Sequence, residues 1–317
     1  MNSMQMLKKE INLVEKMIRK DVATEATVKN LYKHIFKSNG KKIRSRLNLI
    51  SSSLDRNKNK IHRIRLAAII ELLHTATLVH DDVVDDSSIR RGNRSVNNIW
   101  SNAHGVLIGD YIYSKAFMYM VDVGNQQILQ ELSNATNDIS QGELIQLDAI
   151  NNKEITLNKL KKISYFKTGR LFEASAKTGA ILAGANRKYI ENISKCAKNI
   201  GILFQIKDDL LDYSTNLKTG KPQFQDLKEG KITYPFFYAY KNANNKQKEI
   251  LINSLGNKKV QTLKILELIE KLNGIKKTEE LAKQFYKNAI IFAKEIHNIE
   301  VQKEMIELTN TAFNREK

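Results

Sequence analysis

The chain has few of the residues that break helices or cross-link loops. Its 317 residues include two prolines, Pro222 and Pro235, and 14 glycines. So few breakers over this length argue against a loop-rich fold and for long helices. The single cysteine, Cys196, excludes an internal disulfide and suits a reducing compartment. It lies in an apolar helical stretch and reads as core. No stretch shows sustained strand alternation with turn signals, and no apolar run approaches the ~20 residues that span a bilayer. Lys8, Lys9, Glu10, Glu15 and Lys16 interrupt the N-terminal stretch, which excludes a signal peptide, and the two glutamates argue against a transit segment. The expectation is a cytoplasmic protein. No basic–aromatic stripe is present, so no nucleic-acid partner is expected.

Acidic residues are also in deficit, 34 against 52 Lys and Arg, for a formal net charge of +18. Many lysines stand in stretches such as Asn57-Lys58-Asn59-Lys60 and read as solvated surface. Apolar residues make up 42% and charged residues 27%, as in an ordinary globular protein. Helical periodicity begins with Leu7, Ile11, Val14 and Ile18, an amphipathic first helix within residues 1–35. It predicts long helices over 65–86, 107–123, 128–149, 159–184 and 189–213. Two more amphipathic helices are predicted at 261–272 and 279–296, in a lysine-rich region running from 241 to 317. No linker divides the chain. The expected fold is all-α, a single-domain large helical bundle around a central cavity.

Two D-D-x-x-D clusters, Asp81-Asp82-Asp85 and Asp208-Asp209-Asp212, sit in apolar, helix-like stretches. At average Asp usage, two have odds on the order of one in a thousand. Residues i and i+4 share a helix face, so Asp81 stacks beside Asp85 and Asp208 beside Asp212. Like charges so placed call for a compensating cation. Oxygen-only ligands suit Mg²⁺, which takes one or two carboxylates, waters and substrate phosphates. Cations follow each cluster: Arg90-Arg91-Gly92 after the first, then Lys221 and Lys231 after the second. Carboxylates giving way to Arg and Lys suit a Mg²⁺-diphosphate.

With Gly40-Lys41-Lys42-Ile43-Arg44, Glu71-Leu72-Leu73-His74-Thr75, Gly109-Asp110-Tyr111, Gln141-Gly142-Glu143, Lys167-Thr168 and Phe204-Gln205, these motifs span residues 39–240. The sequence strongly resembles the all-trans polyprenyl diphosphate synthases, most of all the bacterial octaprenyl type. The resemblance implies head-to-tail condensation of isopentenyl diphosphate with an allylic diphosphate, giving a long polyprenyl diphosphate for quinone side chains. It implies that Asp81, Asp82, Asp85, Asp208, Asp209 and Asp212 bind Mg²⁺. It assigns Arg90, Lys167, Lys221 and Lys231 to the allylic diphosphate, and Lys41, Arg44, His74 and Arg91 to isopentenyl diphosphate. Thr168 and Gln205 join Lys167 at the reacting centre. A homodimer is also implied, and the basic surface is expected to aid transient contact with anionic membrane.

One turn below the first cluster, Ala76 and Thr77 are small. An extended isoprene unit is about one helical turn, about 5.4 Å, so small residues there leave room for a long product. Leu73 and Ile69 would line the next turns, with Phe117 or Met120 as candidates for the floor. Departures from the family pattern fall at Lys42, at Ser45, which replaces a proline and is expected to loosen the turn, and at Phe224, which replaces a glycine and is not expected to copy its backbone freedom. His80 is expected to buttress Asp81, and His104 to be structural. The stripe Phe117-Met118-Tyr119-Met120 is expected in the core.

Overall fold

The computed structural model describes residues 3–20, 22–37, 40–55, 60–214 and 223–315. In chain order the described helices are α1 (Ser3–Ile18), α2 (Ala26–Ile35), α3 (Ile43–Ser51), α4 (Lys60–Val84), α5 (Val96–Ile99), α6 (Asn102–Val123), α7 (Gln126–Leu147), α8 (Leu157–Ser164) and α9 (Arg170–Leu182). There follow α10 (Arg187–Asp212), α11 (Gln225–Lys228), α12 (Tyr234–Asn242), α13 (Asn245–Ser254), α14 (Thr262–Lys271), α15 (Gly274–Lys294) and α16 (Ile299–Phe313). The all-α expectation holds. Among the described residues the only sheet is a hairpin, β1 (Ile89–Arg90) with β2 (Asn93–Arg94), pairing Ile89 with Arg94 and Arg90 with Asn93. Two-residue strands are too short for alternation to announce them.

The described chain groups into two compact units. The first takes in residues up to Thr136, Ala174–Ser194 and Ile296–Glu304; the second takes in Asn137–Glu173, Lys195–Glu295 and residues from Met305 onward.

In the first unit α4 is the axis, packed by α1, α3 and α6. Its middle is apolar on every side: Leu66, Ala67, Ala68, Ile69, Ile70, Leu72 and Leu73 are fully buried. A helix of that composition is stable only when enclosed. Two charged residues, Arg63 and Glu71, are buried with them, and every side of Arg63 is answered. It donates to Glu10 Oε1 (2.7 Å), Ser52 Oγ (3.0 Å) and the Leu49 carbonyl (3.1 Å). That pairing is structural, since a buried guanidinium persists only when its donors are met. Helix α6 starts at Ser101, whose hydroxyl accepts from the His104 amide, and stops at left-handed Gly124. His104 Nδ1 also lies 2.8 Å from that hydroxyl, so this histidine is structural, as expected.

The second unit has its own core, made by Tyr213, Phe224, Leu227, Phe236, Leu251 and Ile269 with their neighbours. Its α12, α14 and α15 pack on one another. Helix α13 opens with a capping box of Asn244 and Gln247. The helix expected over 159–184 is interrupted by a π-helical turn at Tyr165–Gly169 between α8 and α9. Such turns widen a helix by one residue per turn and recur at functional sites. Periodicity alone cannot show one, because the apolar pattern continues through it.

Candidate active site

Each unit carries one aspartate cluster at the C-terminal end of a long helix. In the first unit α4 ends at Val84, and the chain turns through left-handed Asp86 into the β1–β2 hairpin. The hairpin turn is Arg91-Gly92, both at positive φ (51° and 76°). Glycine occupies such a position without cost, whereas Arg91 is held in it. The turn folds Arg90 back along α4, where its Nε donates to Asp82 Oδ1 at 2.7 Å. Asp82 is buried, and burial raises its pKa from the ordinary carboxylate value although Arg90 opposes the rise. The three aspartates are therefore unequal. Asp81 and Asp85 remain partly exposed, while Asp82 anchors the hairpin. A small cavity of about 50 Å³ below it is lined by Thr75, Leu78, Asp82, Arg90 and Arg91 among others.

Beside this cluster lies a cradle of cations. Arg44 Nη1 donates to His74 Nε2 at 3.0 Å. Burial first, then Arg44, Arg91, Lys42 and Arg90, hold the pKa of His74 well below its ordinary value. A neutral imidazole accepts from the arginine and adds no repulsion. The Arg91 guanidinium lies against Gly40, where an added Cβ would come within 2.8 Å of it. Gly40 thus lets the charged group approach the backbone. Lys41 is exposed at the mouth of this loop. Glu71 supports the cradle from within, 3.6 Å from Lys42 Nζ. It also accepts the Ser45 amide N–H at 3.3 Å, and the Ser45 hydroxyl donates to the Lys42 carbonyl at 3.0 Å. The expected loosening at Ser45 is overturned. Serine supplies an N–H and an O–H that proline lacks, and both are bonded.

His80 does not buttress Asp81. Its Nε2 lies 3.1 Å from the Val106 carbonyl and 3.4 Å from Asp110 on α6, with its ring stacked on Tyr113. Gly109 makes that approach possible, since a Cβ there would sit 2.1 Å from His80 Nε2. The 117–120 stripe divides: Tyr119 and Met120 are buried, while Phe117 and Met118 are exposed. A helix with one face open to solvent must expose part of any four-residue run.

In the second unit the cluster ends α10. Asp209 is buried, accepting Gln205 Nε2 (2.9 Å) and the Tyr234 amide (3.2 Å). Asp212 accepts the amides of Gln225 (2.9 Å) and Asp226 (3.2 Å). Burial, then Asp226, raise Asp212 to about 8 and push Asp209 well above its usual range. Asp226, left without a role by the sequence, is thus a fourth carboxylate of this cluster. Burial raises its pKa too, and Lys231 and Lys167 oppose the rise. Lys231 Nζ pairs with Glu229 at 2.7 Å and Lys167 Nζ with Glu143 at 2.8 Å. Thr168 donates to Gln205 Oε1 at 2.7 Å, so the two expected reacting-centre residues are joined. The π-turn carries both Lys167 and Thr168. Gly142 and Gly201 let backbone pass close to it; a Cβ on either would come within 2.7 Å of Phe166 or Gly169. Lys221 lies outside the described residues.

Phe224 takes a left-handed conformation, of the kind glycine adopts freely, at φ 58°. The expectation that it would not is corrected. Its ring is buried edge-on against Tyr213, and its amide donates to the Asp212 carbonyl at 3.0 Å. Burial of an aromatic ring offsets a strain of about 1 kcal/mol. No three Asp, Glu, His or Cys side chains converge as a ready metal cage among the described residues. Crowded carboxylates with raised pKa values still fit a hard divalent cation, which needs only one or two of them with waters and phosphates.

A family model described as polyprenyl synthetase matches residues 25–272. The chain belongs to the all-trans polyprenyl diphosphate synthase family. These are prenyltransferases that elongate a prenyl chain head to tail with divalent metal ions. The chain is 40% identical over 231 residues to an all-trans-nonaprenyl-diphosphate synthase (geranyl-diphosphate specific) of Rhodobacter capsulatus, covering 73% of this chain and 71% of that protein. It is 33% identical over 287 residues to octaprenyl diphosphate synthase of Escherichia coli, covering 90% and 88%. Among crystal structures, a polyprenyl synthase from Caulobacter crescentus complexed with calcium and isoprenyl diphosphate superposes with TM-score 0.92 at 28% identity, over 99% of this chain and 97% of that one.

Proposed function

We propose that this synthase condenses isopentenyl diphosphate with an allylic diphosphate to give an all-trans product in the octaprenyl range, destined for a quinone side chain. One observation carries the reading: the cradle of Lys42, Arg44 and Arg91 around a neutral His74. A cyclase sharing the aspartate motifs has no use for a second diphosphate site. Lys41, Arg44, His74 and Arg91 hold isopentenyl diphosphate, with arginines offering paired donors to phosphate oxygens. Arg90, Lys167, Lys221 and Lys231 serve the allylic diphosphate. Asp81, Asp82, Asp85, Asp208, Asp209 and Asp212 hold Mg²⁺, with Asp82 acting through its own contact to Arg90. Bound Mg²⁺ supplies charge neutralisation to the departing diphosphate. Thr168 and Gln205 turn their dipoles toward the developing allylic cation. The apolar walls of α4 keep water from quenching it.

Ala76 is fully buried with no side chain beyond Cβ, and Thr77 spends its hydroxyl on the His74 carbonyl at 2.8 Å. Neither blocks growth along α4. Substituting Ala76→Tyr should shorten the product, with a melting curve to check that the overpacked variant, ~1–3 kcal/mol less stable, still folds. An unchanged product length would sink the tunnel reading. The homodimer is supported by the apolar outer face of α6, where Leu107, Phe117, Met118 and Val121 are exposed. Transient membrane contact is supported by a groove of about 430 Å³ between α1 and α4. Leu13, Met17, Ile61 and Ile64 line it, together with Lys16, Lys20 and Lys60. Anionic vesicles should co-sediment the protein at low salt, and background binding would remove this part. No described helix is long and apolar enough to cross a membrane, and water-soluble diphosphate substrates support a cytoplasmic enzyme.

The deciding assay is incubation with farnesyl diphosphate, labelled isopentenyl diphosphate and Mg²⁺, with product lengths resolved by chromatography. A ladder ending at one long product, abolished by EDTA, is expected. No incorporation with any allylic primer would overturn the reading.

A further inference from the structure

The second aspartate cluster carries a cation that lies outside the motifs read in the sequence. Arg315, two residues beyond the end of α16, places Nη1 2.6 Å from Asp208 Oδ1. Its guanidinium carbon lies 4.0 Å from the centroid of the Phe204 ring. Phe204 and Asp208 are four residues apart on α10, so ring and carboxylate share one face and seat the guanidinium together. The arginine side chain is only 12% exposed. What precedes it is well anchored. Phe313 packs on Tyr286 at 4.5 Å, Tyr286 donates to Asn310 at 2.9 Å, and Lys207 lies 5.8 Å from the Phe313 ring. Because Arg315 stands past the last helical residue, it can leave Asp208 without unwinding α16.

The other two described cations assigned to this half have different partners, Glu143 for Lys167 and Glu229 for Lys231. Asp208 is also one of the charges that burden Asp209 and Asp226. A positive group on Asp208 therefore relieves a crowd of carboxylates when no metal is bound. A divalent cation that binds Asp208 through Oδ1 must take the place of this guanidinium, and one on Oδ2 is repelled by it.

We propose that Arg315 is a resident counter-cation of the second aspartate motif. It competes with the metal for Asp208 and sets how tightly that motif binds it. The proposal rests on the reading of Asp208 as a metal ligand. The competition is reciprocal: whatever the arginine contributes to the metal-free protein, it subtracts from metal affinity.

The test is titration of the purified full-length protein with Mn²⁺, a paramagnetic stand-in for Mg²⁺, following free Mn²⁺ by electron paramagnetic resonance. Arg315→Gln should tighten Mn²⁺ binding about threefold, the change expected from removing a partly exposed ion pair. Arg315→Lys should stay near the wild type. In an Asp208→Asn background, adding Arg315→Gln should no longer change the affinity. Phe204→Leu, which weakens the seat but keeps Asp208, should shift affinity in the same direction as Arg315→Gln. Unchanged or weaker binding in Arg315→Gln, with the wild type binding Mn²⁺, overturns the proposal alone. A wild type that binds no Mn²⁺ overturns it together with the metal reading of the motif.

Discussion

The two aspartate clusters have the same spacing and stand at the same end of their helices, yet they are wired differently. At the first, one aspartate is buried and committed to an arginine eight residues downstream, while Asp81 and Asp85 are half-buried. At the second, two aspartates are bonded to amide N–H groups, and a fourth carboxylate, Asp226, crowds them. In the first cluster Arg90 answers one aspartate of the three. The second accumulates negative charge and draws on lysines and Arg315 to offset it. An identical motif thus yields an arginine-anchored cluster in one unit and a crowded one in the other. The crowding raises proton affinity, and under the proposed reading a bound divalent cation would relieve it.

The largest test removes one half-buried carboxylate from each cluster. Asp81→Ala should lower isopentenyl incorporation by about a thousandfold, because Asp82 is committed to Arg90 and Asp85 alone remains on that face. Asp208→Ala should cost nearer tenfold, since Asp209, Asp212 and Asp226 still offer carboxyl oxygens there. Equal losses would erase the asymmetry. Next, Phe224→Gly restores the family's residue beside Asp212. Relief of backbone strain is ~1 kcal/mol, but loss of a buried ring costs ~3–5, so a net destabilisation of about 3 kcal/mol is expected by denaturant unfolding. A stabilised variant would show that the ring contributes nothing.

Arg90→Gln strips the first cluster of its counter-charge and leaves Asp82 buried. A loss of about 2 kcal/mol is expected, with Asp82→Asn in the same background restoring part of it. The smallest effect is on pH dependence. Asp212 binds its proton more tightly in the folded protein, with a pKa of about 8, than in the unfolded chain. Its stabilising proton is fully bound below the unfolded carboxylate pKa and lost as pH rises through 8. The metal-free melting temperature should therefore fall between about pH 4 and pH 8, and Asp212→Asn should flatten the fall. A melting temperature that rises over that range would contradict the crowding.

Much of this was legible beforehand. Long apolar runs with few breakers predicted α4, α6, α7 and α10 within a few residues, because helix periodicity is a local property. The aspartates, Arg44, His74, Arg91, Lys167, Thr168 and Gln205 stand in short motifs with fixed spacing. The structure joins Arg44 to His74 and Thr168 to Gln205 directly. The readings that went astray each depended on a partner distant in sequence. Ser45 depends on Glu71, His80 on α6, and Phe224 on Tyr213. Asp226 had no role assigned from the sequence, because its importance comes from the carboxylates beside it. Arg315 had no sequence signal at all.

From its residues alone, the chain dictated an all-helical class, two oxygen-rich clusters and the cations that follow them. Those features are local: they arise from side-chain type, helix period and spacing within a few turns. Which aspartate is neutralised, which carries an elevated pKa, and which arginine reaches which carboxylate were left to tertiary structure. Burial and the approach of side chains from far along the chain set those charges, and electrostatic energy depends on distance and solvent exposure rather than on order in sequence.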